Sequence, residues 1–114
     1  YGWEYAMAGK TKAAIHAALE LDPIIHERVR LAILSALGTH GRLSFNELKA
    51  LTEATDGNLS THSQKLEAAG YVRMSKGMFG RRTKTSYEIT APGRQALMDY
   101  LDALDRLMGE VRGK

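Results

Sequence analysis

Apolar positions along the chain follow two helical rhythms with an alternating stretch between them. From Ile25 they step by four through Val29, Ile33 and Leu37, with Ala32 and Ala36 beside them, which predicts a helix with one core-facing stripe. Asp22-Pro23 reads as its start, because Asp22 can accept from free first-turn amides and Pro23 suits the first helical position. Gly38 or Gly41 reads as its end. Before it, the alanine-rich run from Thr11 to Leu21 favours helix, with Ala14, Ala18 and Leu21 on one face and Ile15 and Leu19 alongside.

After it, Leu43 reads as a short strand, and Ser44-x-x-Glu47 is a capping box. The box predicts a second helix to about Thr52 that buries Phe45, Leu48 and Leu51. Thr55 or Asp56 caps a third helix ending at Gly70. Leu59, Leu66 and Ala69 fall near its inner face, with His62 and Ser63 on or close to that face. Asn58, Ser60, Thr61, Gln64 and Lys65 point outward.

The pattern then changes to strand. Tyr71 and Val72 open a strand to about Lys76, and Thr85 to Ile89 return it. Gly77 and Gly80 bracket Met78 and Phe79 at the tip between them, and these two apolar side chains are expected to tuck back on the domain, with contact to a sugar face as the alternative. Thr90 and Pro92 start the last helix, where Leu97, Leu101, Leu104, Met108 and Val111 step by four, three, four and three, flanked by Tyr100 and Leu107. That heptad seam is longer than a compact domain needs for its own core, so Leu97, Tyr100, Leu101, Leu104 and Met108 are read as a dimerisation surface.

Charge sharpens this picture. The whole chain of 114 residues carries a net +3, yet Arg73, Lys76, Arg81, Arg82 and Lys84 fall between Tyr71 and Tyr87 with no acid among them, leaving the remainder at −2. Like charges crowded on one hairpin point to a polyanionic partner. The outward side chains of the third helix are short, polar or amide-bearing with one cation, a composition suited to base edges and phosphates as well as to plain solvation.

Other chemistries are excluded or unsupported. With no cysteine there is no disulfide framework, thiolate metal site or cysteine nucleophile. No run of about 18 apolar residues suggests a membrane span. The opening YGWEYAMAGK lacks the order of a signal peptide and begins without methionine, so it reads as a cloning remnant or the interior of a longer chain. His16, His26, His40 and His62 are scattered, and His62 reads as a buried, hydrogen-bonded side chain rather than a ligand. No nucleophile elbow, P-loop or dinucleotide glycine pattern is present, and no cofactor is expected.

LDPIIHERVRLAIL, LSFNELKALTEATDGNLSTHSQKLEAAGYV and GRRTKTSYEITAPGRQAL, spanning about three quarters of the chain, resemble small MarR/ArsR-like winged-helix transcriptional regulators of bacteria and archaea. The resemblance implies a dimer on operator DNA, with the third helix in the major groove and the hairpin, or wing, beside it. Carried over by position, Asn58, Ser60, Thr61, Gln64 and Lys65 face DNA, and Arg81 and Arg82 belong to the wing. The chain departs from the pattern at Thr61 and Gln64, where arginine is frequent, and at Ser63, where leucine is.

The expectation is therefore a mainly α protein with a small β-hairpin, a winged helix-turn-helix whose terminal helices dimerise. Residues 1–21 form an extension helix, 22–90 the DNA-binding domain and 91–114 the dimerisation helix. Asn58, Ser60, Thr61, Gln64, Lys65, Lys76, Arg81, Arg82 and Lys84 would touch DNA. The protein would be a cytoplasmic regulator and not an enzyme, with double-stranded DNA and a second copy as partners and room for an unknown small-molecule or protein effector. The alternative is a winged-helix module that binds an acidic protein.

Overall fold

The computed structural model describes the backbone of residues 2–113 and the side chains of residues 8–113. Five helices and three strands follow in the order α1 (Gly2–Leu19), α2 (Arg28–His40), β1 (Leu43–Ser44), α3 (Phe45–Thr52), α4 (Asp56–Ala68), β2 (Val72–Phe79), β3 (Arg82–Ile89) and α5 (Ala91–Arg112). The strands form one antiparallel sheet in the order β1-β3-β2. This is the winged helix expected from the sequence.

Local signals placed most boundaries. The capping box is complete: the Glu47 amide donates to Ser44 Oγ at 3.1 Å, and the Ser44 amide donates to Glu47 Oε1 at 3.0 Å. Those bonds, from the Ser44 backbone first, hold the Glu47 carboxyl below its ordinary range. Thr55 caps α4 by accepting from the Asn58 amide at 3.1 Å, and Thr90 caps α5 by accepting from the Gly93 amide at 3.0 Å.

The start of α2 is different from the expectation. Asp22 does accept from a following amide, that of Ile24 at 2.8 Å, but this closes a turn rather than a helix. The helix begins at Arg28, capped by Glu27, whose Oε1 accepts from the Arg30 amide at 2.8 Å. Burial pushes the Glu27 carboxyl up, but the amides of Arg30 and Val29 and the nearby His62 and Arg30 outweigh it and hold the group low. Ile25 therefore reaches the core from the turn, not from the helix.

The core lies where α2, α3, α4 and the first half of α5 meet the sheet. Ile25, Ile33, Leu34, Leu37, Leu48 and Leu66 are all fully buried there. Leu51 and Ala69, expected inside, are exposed, because Leu51 is on the last turn of a short helix and Ala69 is already its neighbour's cap. Gly93 lets α5 approach the Tyr71 backbone so closely that a Cβ there would stand 2.0 Å from the Tyr71 carbonyl oxygen.

α1 starts earlier than expected, at Gly2, and its buried contact is Ala17 with Leu21 beyond the helix, while Ala18, Ile15 and Leu19 face outward. It packs antiparallel on the second half of α5, tied by a Glu20–Arg106 ion pair at 2.6 Å. The molecule is elongated, 72 Å along its longest axis.

The heptad seam of α5 is divided. Leu97 and Tyr100 are buried in the chain's own core, and the Tyr100 hydroxyl lies 2.9 Å from His26 Nδ1, so neither is free to make the dimer surface assigned to them. The cause is periodicity: the same stripe that leaves the body at Leu101 first crosses it. Leu104 is half-buried, whereas Leu101 and Met108 remain 43% and 41% exposed.

Candidate nucleic-acid interface

α4 has two faces. Leu59, Ser63 and Leu66 lock its inner side into the core. Thr61 and Gln64 stand at the centre of the outer side, flanked by Lys65 and Asn58 on one edge and by half-buried Ser60 on the other. Gln64 Nε2 donates to Ser60 Oγ at 3.3 Å, one turn along the same face. All five residues assigned to this helix face thus share a single surface.

Two devices hold the helix in place. Arg30, buried although charged, gives its guanidinium to the carbonyls of Ile24 at 2.5 Å and Pro23 at 3.5 Å and to His62 Nδ1 at 3.0 Å. The next residue, Ser63, is 2% exposed against Tyr87 of β3. Burial pushes the Tyr87 hydroxyl up from its ordinary value, Ser63 opposes that, and Glu67 adds to it.

The wing is longer than the sequence suggested. β2 continues through Gly77 to Phe79 and β3 begins at Arg82, so glycine does not interrupt the ladder. Phe79 pairs with Arg82 across a two-residue turn, Gly80-Arg81, in which only Gly80 has positive φ, at 62°. Arg81 stands at the turn, while Arg82 and Lys84 belong to a strand. Met78 and Phe79 do not tuck back. They are 66% and 70% exposed, because the ladder carries them past the end of β1, and Phe79 borders an open cavity with Ser44, Phe45 and Asn46 without being covered by them.

Of the five wing cations, one is used within the fold. Arg73 and Arg42 both reach Glu88 Oε1, at 3.0 Å and 3.2 Å. Hydrogen bonds from Arg73 first and Arg42 second hold that carboxyl below its usual range. Among the described residues, Lys76, Arg81, Arg82 and Lys84 have no carboxylate partner at ion-pair distance. The free charge of the hairpin therefore concentrates toward its tip.

Helix and wing share a surface. A cavity of about 490 Å³ between them is lined by Ser60 and Gln64 of α4 and by Lys76, Thr85 and Tyr87 of the sheet, with Glu67 at one side. On the opposite flank of α4, Asn58 lines a cavity of about 390 Å³ with Arg28 and Thr55. Arg28 is a cation that sequence reading missed. A helix expected to start at Pro23 would place it mid-helix, whereas as the first residue of α2 it stands beside Asn58 at the rim of the helix face.

The sequence profile of winged helix DNA-binding domains matches residues 29–108. The chain belongs to that family. It is 40% identical over 78 residues to the uncharacterized protein MJ0432 of Methanocaldococcus jannaschii, an alignment covering 68% of this chain and 85% of the relative. Its fold superposes on a transcriptional regulator homologue from Pyrococcus horikoshii OT3 with a TM-score of 0.75, at 25% identity, covering 90% of this chain and 97% of the other. It superposes on MarR with a TM-score of 0.69 at 15% identity, covering 97% and 81% of the two chains, a likeness of fold. Family and fold are those of transcriptional regulators and not of enzymes. No helix among the described residues is long and apolar enough to cross a membrane.

Proposed function

We propose that this winged-helix protein is a sequence-specific transcriptional regulator that binds duplex DNA as a homodimer in the cytoplasm. α4 lies in the major groove and the wing follows the backbone into the minor groove. The observation that carries the reading is the shared surface: Ser60 and Gln64 of the α4 outer face and Lys76 of the wing border one cavity, with the other unpaired wing cations further along the same ribbon, which supports one duplex meeting both. Thr61 and Gln64 read base edges, with Asn58 and Ser60 at the flanks. Lys65, Lys76, Arg81, Arg82 and Lys84 take phosphates, joined by Arg28 at the rim. The second copy packs on the pair of terminal helices, where Leu101, Met108, Ile15 and Leu19 leave apolar surface exposed and Leu104 is half-covered.

Selection of bound sequences from random duplex DNA tests this directly. The expected outcome is an inverted repeat with half-sites about one helical turn apart, which reports the dimer together with the base readout. Replacing Asn58 or Gln64 by alanine should then weaken discrimination against random DNA by about 1–3 kcal/mol per good bidentate contact, with the fold intact. Failure to enrich any sequence would overturn sequence-specific binding. Enrichment of a single unrepeated site would overturn the dimer.

A further inference from the structure

We propose that Phe79 is an apolar wedge at the tip of the wing, which enters the minor groove and unstacks a base step, bending the DNA. The inference rests on the DNA-binding reading above and deepens it. It gives the wing a role in choosing deformable sequences as well as in holding phosphate.

The case begins with exposure. A single surface phenylalanine needs no explanation, but Met78 and Phe79 are adjacent and 66% and 70% exposed at the end of a ribbon. β1 pairs only with Tyr87 and Ser86 of β3, so the sheet is three strands wide at its root and two strands wide beyond Ser75. Four strand residues at about 3.3 Å each carry Phe79 about 13 Å past that root. There the ring borders an open cavity with Ser44, Phe45 and Asn46 yet stays 70% exposed, and its register opposite Arg82 fixes which side it faces.

The side it faces is prepared for an inserted ring. Strand alternation puts Gly77 and Ser75 behind Phe79 on the same face of β2, so no large side chain of its own strand covers the ring. A Cβ added at Gly77 would meet nothing within 4 Å. Across the ladder the same face carries Arg82 and Lys84, and the Lys84 ammonium stands 4.9 Å from the ring centroid. That cation–π contact orients an otherwise free side chain before binding. It also sets a charge beside the ring, where a phosphate would stand if the ring were in the groove.

Charge decides the occupant. Lys76, Arg81, Arg82 and Lys84 surround the two apolar side chains, and among the described residues none of the four has a carboxylate at ion-pair distance. An apolar tip ringed by cations fits a polyanion that offers stacked, separable apolar surfaces, which is the minor groove of a duplex. A neutral or acidic protein groove matches the ring or the charges, but offers no base steps to open.

The test uses the full chain and a 30-base-pair duplex recovered by selection on the wild type, with fluorophores at its ends to report bending by energy transfer. Wild type should bend the duplex by about 20–90°, the range of wedge insertions. Phe79→Ala should straighten it and weaken binding about tenfold, within the worth of one base–aromatic contact. Its salt slope should stay at the wild-type value, because no phosphate contact is removed. Phe79→Leu, which keeps an apolar wedge, should retain most of the bend. Thermal melting should change little in both variants, since the ring is 70% exposed. If Phe79→Ala binds and bends like wild type, the wedge is wrong and DNA binding stands. If wild type binds no duplex, the DNA reading and the wedge fall together.

Discussion

β2 and β3 are one continuous ladder whose two halves are built from opposite materials. At the root, Val72 faces Ile89 and Met74 faces Tyr87 on the core side, and Arg73 faces Glu88 on the other. At the tip, Gly77 faces Lys84, Met78 faces Thr83 and Phe79 faces Arg82, all of them exposed. The root is held by burial and by ion pairs to a shared carboxylate. The tip has only its backbone ladder, and a two-stranded ribbon is marginal by itself. The division shows that a rigid root lets the tip dispense with packing. Its side chains are then free to carry charge and apolar surface for a partner.

The largest effect should come from breaking the root while a matched change at the tip does nothing. The Tyr71 carbonyl accepts from the Thr90 amide at 3.0 Å, and Gly93 lets α5 pass directly over it. Gly93→Ala drives a methyl group into backbone that cannot yield cheaply. It should lower stability by about 3 kcal/mol or more in urea unfolding. Gly77→Ala adds the same methyl group in open space, with an ordinary backbone conformation, and should change stability by no more than about 0.5 kcal/mol. Equal losses from both would show that the tip is packed after all.

The reverse separation is expected for binding. Arg81→Ala with Arg82→Ala should leave melting unchanged, because neither arginine has an ion-pair partner among the described residues. On a dimer with two wings, the slope of log affinity against log salt should flatten by up to about 4, at about 0.9 per phosphate released. Affinity should fall similarly on all sequences. An unchanged slope would remove the wing from the DNA contact and favour an acidic protein as its partner.

How much of this was legible in the sequence depended on how local the cause was. Ser44-x-x-Glu47, Thr55 and Thr90-x-Pro92 fix helix starts through bonds within four residues, and each stands where the pattern put it. Asp22 was misread for a related reason, since the same side chain closes a turn as readily as it caps a helix. The choice was made by Glu27, whose hold on the Arg30 amide belongs to a cluster with His62 of α4. The wing's length was hidden because Gly77 is compatible with either a turn or a ladder. The seam of α5 was legible as apolar, but periodicity is blind to what covers it. Leu97 and Tyr100 went to the core, while Leu101 and Met108 stayed outside. The outward face of α4 was readable in full, whereas its neighbour Arg28 became visible only once α2 had its true first residue.

The smallest expected effect belongs to the strap that joins the root to the turn before α2. Tyr71 donates its hydroxyl proton to Asp22 Oδ2, linking β2's first neighbour to the segment that precedes α2. That hydrogen bond, with burial and the Asp22 charge, pushes the Tyr71 hydroxyl from 10 up to about 12. A proton held more tightly in the folded state than in the unfolded one stabilises the fold fully below pH 10. Its contribution declines as pH rises from 10 and is gone above about 12. Stability measured by urea unfolding at rising pH should therefore fall in that window. Tyr71→Phe, which lacks the proton, should be slightly less stable at neutral pH and should show a shallower decline between pH 10 and 12. Arg81→Ala at the tip should follow the wild-type curve, since arginine keeps its charge throughout that window. A Tyr71→Phe curve parallel to wild type would mean that the strap does not hold the root, and that the rigidity on which the wing depends comes from Gly93 and the core alone.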